Sequence, residues 1–114
     1  MSERYFTGKK AVVTGAGDGI GRALAQQLNS AGCELWLCDI DPGRLEETLA
    51  SLDGQKAAVH THIVDCGDQG AIVNWGRLVA GETDRLDAVF NNAGVAYGAP
   101  FADASEESFQ WLMA

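Results

Sequence analysis

The chain has 114 residues, one domain's worth, of which 46% are apolar and 21% charged, so it reads as globular rather than disordered. Acids outnumber bases 16 to 8, and the net charge of −8 speaks against nucleic-acid and anionic-membrane partners, which need a basic face. Cys33, Cys38 and Cys66 are odd in number and form no Cys-x-x-Cys pair, which argues against a disulfide framework and against a zinc ribbon.

Residues 1–10 contain no apolar core of signal-peptide length, and no run approaches the ~18 apolar residues of a membrane span. A cytoplasmic protein is expected. Lys10-Ala-Val-Val-Thr14 is an apolar run that ends at a glycine and reads as a buried strand. Thr14-Gly-Ala-Gly-Asp-Gly-Ile-Gly21 follows. Ile20, Leu24, Leu28 and Ala31 then recur at helical spacing, with Gly32 as the stop.

A glycine loop between a strand and a helix is the setting a phosphate-binding turn requires. Gly15 allows a sharp turn off the strand. Gly19 lets the backbone approach a pyrophosphate with no Cβ in the way, and Gly21 lets the helix pack closely on the sheet. The free N–H groups of the helix start face the phosphates. The strict Gly-x-Gly-x-x-Gly spacing is not met: Gly15 and Gly17 lead to Ile20, and Gly17 and Gly19 lead to Arg22. The pattern that fits is Thr-Gly-x-x-x-Gly-x-Gly. With no Gly-x-x-x-x-Gly-Lys-Ser/Thr, a P-loop nucleotidase is disfavoured.

Glu34-Leu-Trp-Leu-Cys38 is the second strand, and Cys33 and Cys38 should face opposite sides as small buried hydrophobes. Asp39 follows, eighteen residues after Gly21. A carboxylate about 20 residues beyond the glycines accepts hydrogen bonds from the adenosine ribose hydroxyls and repels a 2′-phosphate, which favours NAD over NADP. Ala16, Asp18, Ile40 and Asp41 offer no base to rescue NADP, and Arg44, the nearest cation, is placed on the solvent face of its helix.

Asp41-Pro42 reads as a helix N-cap with proline at the first helical position, followed by a Leu45, Leu49, Leu52 stripe. Ala57 to Val64 is the third strand, with His60 and His62 on one face as packed or solvated side chains rather than metal ligands. Asp68 opens a helix carrying Ile72, Trp75 and Val79. Leu86 to Phe90 is the fourth strand, and Ser105 begins a further helix. Trp36, Trp75 and Trp111 read as packing residues. This alternation implies an α/β fold: a Rossmann-like, doubly wound parallel sheet over residues 1–114, cut off after the fourth strand and the start of the next helix.

Thr14-Gly-x-x-x-Gly-Ile-Gly21, Asp39, Asp65 and Asn91-Asn-Ala-Gly94, in that order, resemble the single-domain short-chain dehydrogenases/reductases. The resemblance implies that Gly15, Gly19, Ile20 and Gly21 line the pyrophosphate, with Asp18 beside them in the cofactor site, and that Asp39 holds the ribose. Asp65 and the backbone of Cys66 would meet the adenine edge. Asn92, Ala93 and Gly94 would border the adenosine ribose and the path to the nicotinamide. Asn91 and Thr14 would tie neighbouring loops and strands together. Asp65 and Asn91 each end a strand, and ligands of open parallel sheets lie beyond those ends.

The resemblance also implies an alcohol or ketone substrate, and a homo-oligomer of a full-length form through the helix that begins at Ser105. Its proton-transfer residues are a serine, a Tyr-x-x-x-Lys pair and a supporting asparagine, which normally lie beyond residue 114. Tyr5 and Lys9 match the pair in spacing, but they precede the first strand, so no catalytic residue is assigned. The expectation is a cofactor-binding half, inactive alone. The alternatives are a non-catalytic NAD-binding or interaction module and a remnant without a stable fold.

Overall fold

The computed structural model describes residues 3–53 and 57–92. In chain order they form α1 (Glu3–Phe6), β1 (Lys10–Thr14), α2 (Gly19–Ser30), β2 (Glu34–Asp39), α3 (Pro42–Ser51), β3 (Val59–Ile63), α4 (Gln69–Glu82) and β4 (Ala88–Asn91). The short α1 was not foreseen. The helix expected from Ser105 lies outside the described residues.

The strands form one parallel sheet in the order β3-β2-β1-β4. Val12 of β1 stands between Trp36 of β2 and Val89 of β4. Such a sheet must be covered on both faces, and the two central strands are accordingly apolar and buried nearly end to end. Val13, Leu35 and Leu37 point to one face, where Ala25 and Leu28 of α2 and Leu45 of α3 pack. Val12, Trp36 and Cys38 point to the other, against Ile72, Trp75 and Val79 of α4. Each fully buried large side chain contributes roughly 1.5–3 kcal/mol. The fold is Rossmann-like α/β, doubly wound as the alternation of elements implied. Cys33 and Cys38 lie in opposite cores.

The helix starts are set by aspartates. Asp18, Asp41 and Asp68 cap α2, α3 and α4, accepting from the N–H groups of Gly19, Arg44 and Ala71. Gly32, at φ +85°, carries the chain out of α2.

Two readings of the helical stripes need correction. Ile20 is 71% exposed and Leu49 is 42% exposed. Ile20 sits in the first turn of α2, ahead of the part that lies on the sheet. On α3 the inward position next to Leu49 belongs to Thr48, which is fully buried and donates to the carbonyl of Ala16 at 2.8 Å.

Candidate functional site

The sheet order reverses about β1. From β1 the chain runs outward through β2 and β3, then returns to place β4 on the other side of β1. The loops after β1 and β4 therefore part, and a crevice opens beyond the carboxyl ends of the strands. Of the residues assigned to the cofactor from the sequence, those described by the structure lie at these carboxyl ends.

β1 ends at the buried Thr14, and Gly15 turns the chain at φ +62°. Gly19 takes φ +54°, with open space where a Cβ would stand. At Gly21 a Cβ would overlap the carbonyl oxygen of Gly15, so the approach of α2 to the loop depends on its absence. The N–H of Arg22 makes the first intrahelical bond, to the carbonyl of Asp18. The N–H groups of Ile20 and Gly21 precede it and have no intrahelical acceptor. This is a cradle of the shape and polarity that a pyrophosphate needs.

Asp39 stands at the end of β2. Its Oδ2 accepts from the N–H of Gly17 at 2.9 Å, and its Oδ1 accepts from the N–H of Asp41 at 2.9 Å. The carboxylate is thus oriented by the backbone on both sides. A cleft of about 220 Å³ opens between Gly15, Asp39 and Ile40 on one side and Val64, Asp65 and Cys66 on the other. Asp65 shapes its turn by accepting from the N–H of Gly67 at 2.8 Å.

Thr14 Oγ1 donates to Asn91 Oδ1 at 3.0 Å and accepts from the N–H of Asn92 at 3.0 Å. Asn92 Nδ2 reaches the carbonyl of Gly15 at 3.4 Å. The tie between β1 and β4 is the one expected of Thr14 and Asn91. Ala93 and Gly94 lie outside the described residues.

Sequence reasoning missed four participants. Gly17 is one: a Cβ there would lie 2.8 Å from Asp39 Oδ2, so only glycine leaves the carboxylate its place. Its signal was the extra glycine inside the loop. Arg22 and Thr48 clamp the same loop. The Arg22 guanidinium donates to the carbonyl of Gly17, to Thr48 Oγ1 at 2.9 Å and to Glu47 at 3.2 Å. No local pattern marks either residue, because the clamp joins two helices.

Arg44 is the fourth. It is exposed as expected, but it lies at the site rather than away from it. Its guanidinium pairs with Asp18 at 3.5 Å and Asp41 at 3.7 Å.

Cys38, buried in the sheet, approaches Cys66 of the cleft wall, Sγ to Sγ 3.8 Å, and both are free thiols. The hydrogen bond from the Cys38 thiol lowers the pKa of Cys66, and the same bond together with burial pushes that of Cys38 up. Burial among apolar neighbours, helped by Asp87 and Glu34, raises Cys33 to about 12.

His60 and His62 serve packing. His60 stacks on Trp36 and meets Glu34 at 2.9 Å, and His62 Nδ1 accepts from Trp75 Nε1 at 3.0 Å. Lys9 lies over the ring of Tyr5 at 5.3 Å, ahead of β1 and at the opposite end of the sheet from Asp39.

The family model for short chain dehydrogenases matches residues 9–114. The chain belongs to the short-chain dehydrogenase family. As a member of this family of oxidoreductases, it is 41% identical over 94 residues to human estradiol 17-beta-dehydrogenase 11, covering 82% of this chain and 31% of that protein. It thus spans about a third of the length of that curated relative. A short-chain dehydrogenase/reductase from Burkholderia phymatum, solved in complex with NAD, superposes with a TM-score of 0.70 at 36% identity, covering 84% of this chain and 34% of that one. A metagenomic short-chain oxidoreductase in complex with NADP gives 0.67 at 35% identity, covering 87% and 44%. Among the described residues, no helix is long and apolar enough to cross a membrane.

Proposed function

We propose that this chain is the NAD-binding half of an oxidoreductase that moves a hydride between the nicotinamide and an alcohol or ketone substrate. The observation that carries the reading is the Asp39 carboxylate. It is fixed by the N–H groups of Gly17 and Asp41 at the mouth of the cleft, beside the glycine-lined start of α2. The bound dinucleotide supplies the hydride acceptor or donor; the chain's own residues bind and orient it.

Gly15, Gly19, Ile20 and Gly21, with Asp18 at the cap, receive the pyrophosphate. Asp39 takes the ribose hydroxyls of the adenosine. Asp65 and the backbone of Cys66 take the adenine edge across the cleft. Asn92, with Ala93 and Gly94, borders the way to the nicotinamide. Residues 1–114 act as one cofactor-binding domain.

NAD is preferred to NADP because a 2′-phosphate would meet the Asp39 carboxylate before any cation. Arg44, the cation at hand, is already shared by Asp18 and Asp41. The chain contains no Tyr-x-x-x-Lys other than Tyr5 and Lys9. On that ground we expect the 114-residue chain to bind cofactor without turning it over. A cytoplasmic location, supported by the net charge of −8, and a homo-oligomeric full-length form complete the reading.

Titration of the purified chain with NAD, NADPH and ADP-ribose, followed by calorimetry, tests it. Saturable binding of NAD is expected, with ADP-ribose binding about as well, because the proposed contacts address the adenosine and pyrophosphate. NADPH should bind more weakly. A folded chain that binds none of the three would overturn the proposal.

A further inference from the structure

We propose that Cys38 and Cys66 form a reversible disulfide under peroxide, and that this bond gates the adenine cleft. The gating half rests on the proposed cofactor reading; the bond itself does not. The two thiols lie Sγ to Sγ 3.8 Å apart, which leaves a closing movement of about 1.8 Å to a disulfide.

The two partners differ in freedom. Cys38 is fully buried in the middle of the sheet and held by β2. Cys66 lies in the turn between β3 and α4 and lines the cleft. The turn therefore moves, and it carries Asp65 with it. The Asp65 carboxylate is tied to the N–H of Gly67 next to Cys66, so drawing Cys66 inward shifts the carboxylate assigned to the adenine.

The chemistry is balanced with a peroxide as oxidant. Cys66 is the attacking thiolate, because it reaches the cleft and the Cys38 hydrogen bond favours its ionised form. Its sulfur attacks one peroxide oxygen; the S–O bond forms, the O–O bond breaks, and with a proton the leaving oxygen departs as water. The sulfur of Cys38 then attacks the Cys66 sulfenic acid. The S–S bond forms and the S–O bond breaks, and the Cys38 proton leaves with the hydroxide as a second water. Two thiols are oxidised and one peroxide is reduced. Cys33 stays out of reach: it lies in the opposite core, and its pKa is pushed up to about 12.

The test is to expose the purified chain to one equivalent of hydrogen peroxide, block remaining thiols, digest and analyse by mass spectrometry. A Cys38–Cys66 linked peptide that dithiothreitol cleaves, with Cys33 recovered as the free thiol, is expected. Oxidation of Cys66 with no link to Cys38, or consumption of Cys33 first, overturns the proposal. Cys38→Ala should abolish the linked peptide and leave Cys66 at the sulfenic acid, which a second equivalent of peroxide carries on to the sulfinic acid.

NAD titration before and after oxidation reads the gate. Displacing one charge-assisted hydrogen bond should weaken binding roughly tenfold, with recovery on reduction. Equal affinity in both forms refutes the gate. If the reduced chain binds no NAD, the gate falls together with the cofactor reading, and the linked peptide still decides the disulfide.

Discussion

The two ends of the sheet are both polar, and they spend their polarity in opposite ways. At the amino ends of the strands, charge meets charge. Glu34 faces both Lys10 and His60, Asp87 binds Arg85 and the N–H of Lys10, and Glu82 accepts from Trp36 Nε1. At the carboxyl ends, Asp18, Asp39 and Asp65 each hold a backbone N–H, and glycines remove side chains where the chain must pass close. One end cancels its own charges and closes. The other fixes carboxylates and backbone donors around a crevice, where they can act on a ligand.

The same substitution, glycine to alanine, should act with opposite sign at the two ends. Gly21→Ala adds a Cβ against the Gly15 carbonyl, which also receives Asn92 Nδ2 and cannot easily give way. The helix gains about 1 kcal/mol in propensity, but overlap with backbone costs about 3 kcal/mol, so a net loss of about 2 kcal/mol is expected. Gly81→Ala, in α4 near the closed end, meets nothing within 4 Å and should stabilise by up to about 1 kcal/mol. Denaturant midpoints of the two variants read the sign directly. A Gly21→Ala protein as stable as the parent would contradict the packing of α2 on the loop.

Asp39→Ala comes next. It strips acceptors from the N–H groups of Gly17 and Asp41, and it removes the proposed ribose ligand. We expect a stability loss of about 1–3 kcal/mol and NAD binding at least about tenfold weaker. The NAD preference over NADP should narrow, because Arg44 stands nearby and the repelling carboxylate is gone. Asp39→Asn should recover part of the stability, since its amide oxygen still accepts, without restoring the ribose grip. Unchanged affinity in a folded Asp39→Ala protein would move the ribose elsewhere.

A third expectation concerns pH. The pKa of Cys33 is raised from 9.0 to about 12, chiefly by burial. Above pH 9 the unfolded chain releases this proton while the folded chain keeps it. Fewer protons bound in the unfolded state means stability falls as pH rises, by up to about 1.4 kcal/mol per pH unit across that window. Other groups titrate there too, so the readout is the difference in melting temperature between the parent and Cys33→Ala from pH 8 to about 11. Parallel curves would show that the thiol ionises as readily folded as unfolded.

What was legible in the sequence was local. Ala11–Val13 and Leu35–Cys38 announce β1 and β2 as short apolar runs, and Asp41-Pro42 marks a helix start within one residue. Gly15, Gly19 and Gly21 could be read because a turn between strand and helix needs them in that order. What was illegible joins elements that only the fold brings together. Thr48 hides among leucines, yet it binds the Ala16 carbonyl across 32 residues. Arg22 looked like the residue that spoiled a glycine motif, and it clamps that same loop. The Cys38–Cys66 approach depends on β2 and β3 being neighbours, which no spacing within the chain reveals.

The smallest effect belongs to the closed end, and it tests whether closure there rests on any one pair. Lys10 Nζ lies 3.6 Å from Glu34 and donates to Thr83 Oγ1 at 3.1 Å, with both charged side chains a little over a quarter exposed. Lys10→Met keeps the apolar stem, and the backbone N–H of Lys10 still reaches Asp87. Glu34 keeps His60 as a partner. The loss should be about 1 kcal/mol or less, and it should shrink further in about 1 M salt, where exposed pairs are screened. NAD affinity should not change, because the substitution lies at the far end of β1 from the cleft. A loss of several kcal/mol would make Lys10 a keystone rather than one member of a redundant network. A change in affinity would mean that the two ends of the sheet are coupled, and that the division between a closing end and a binding end is wrong.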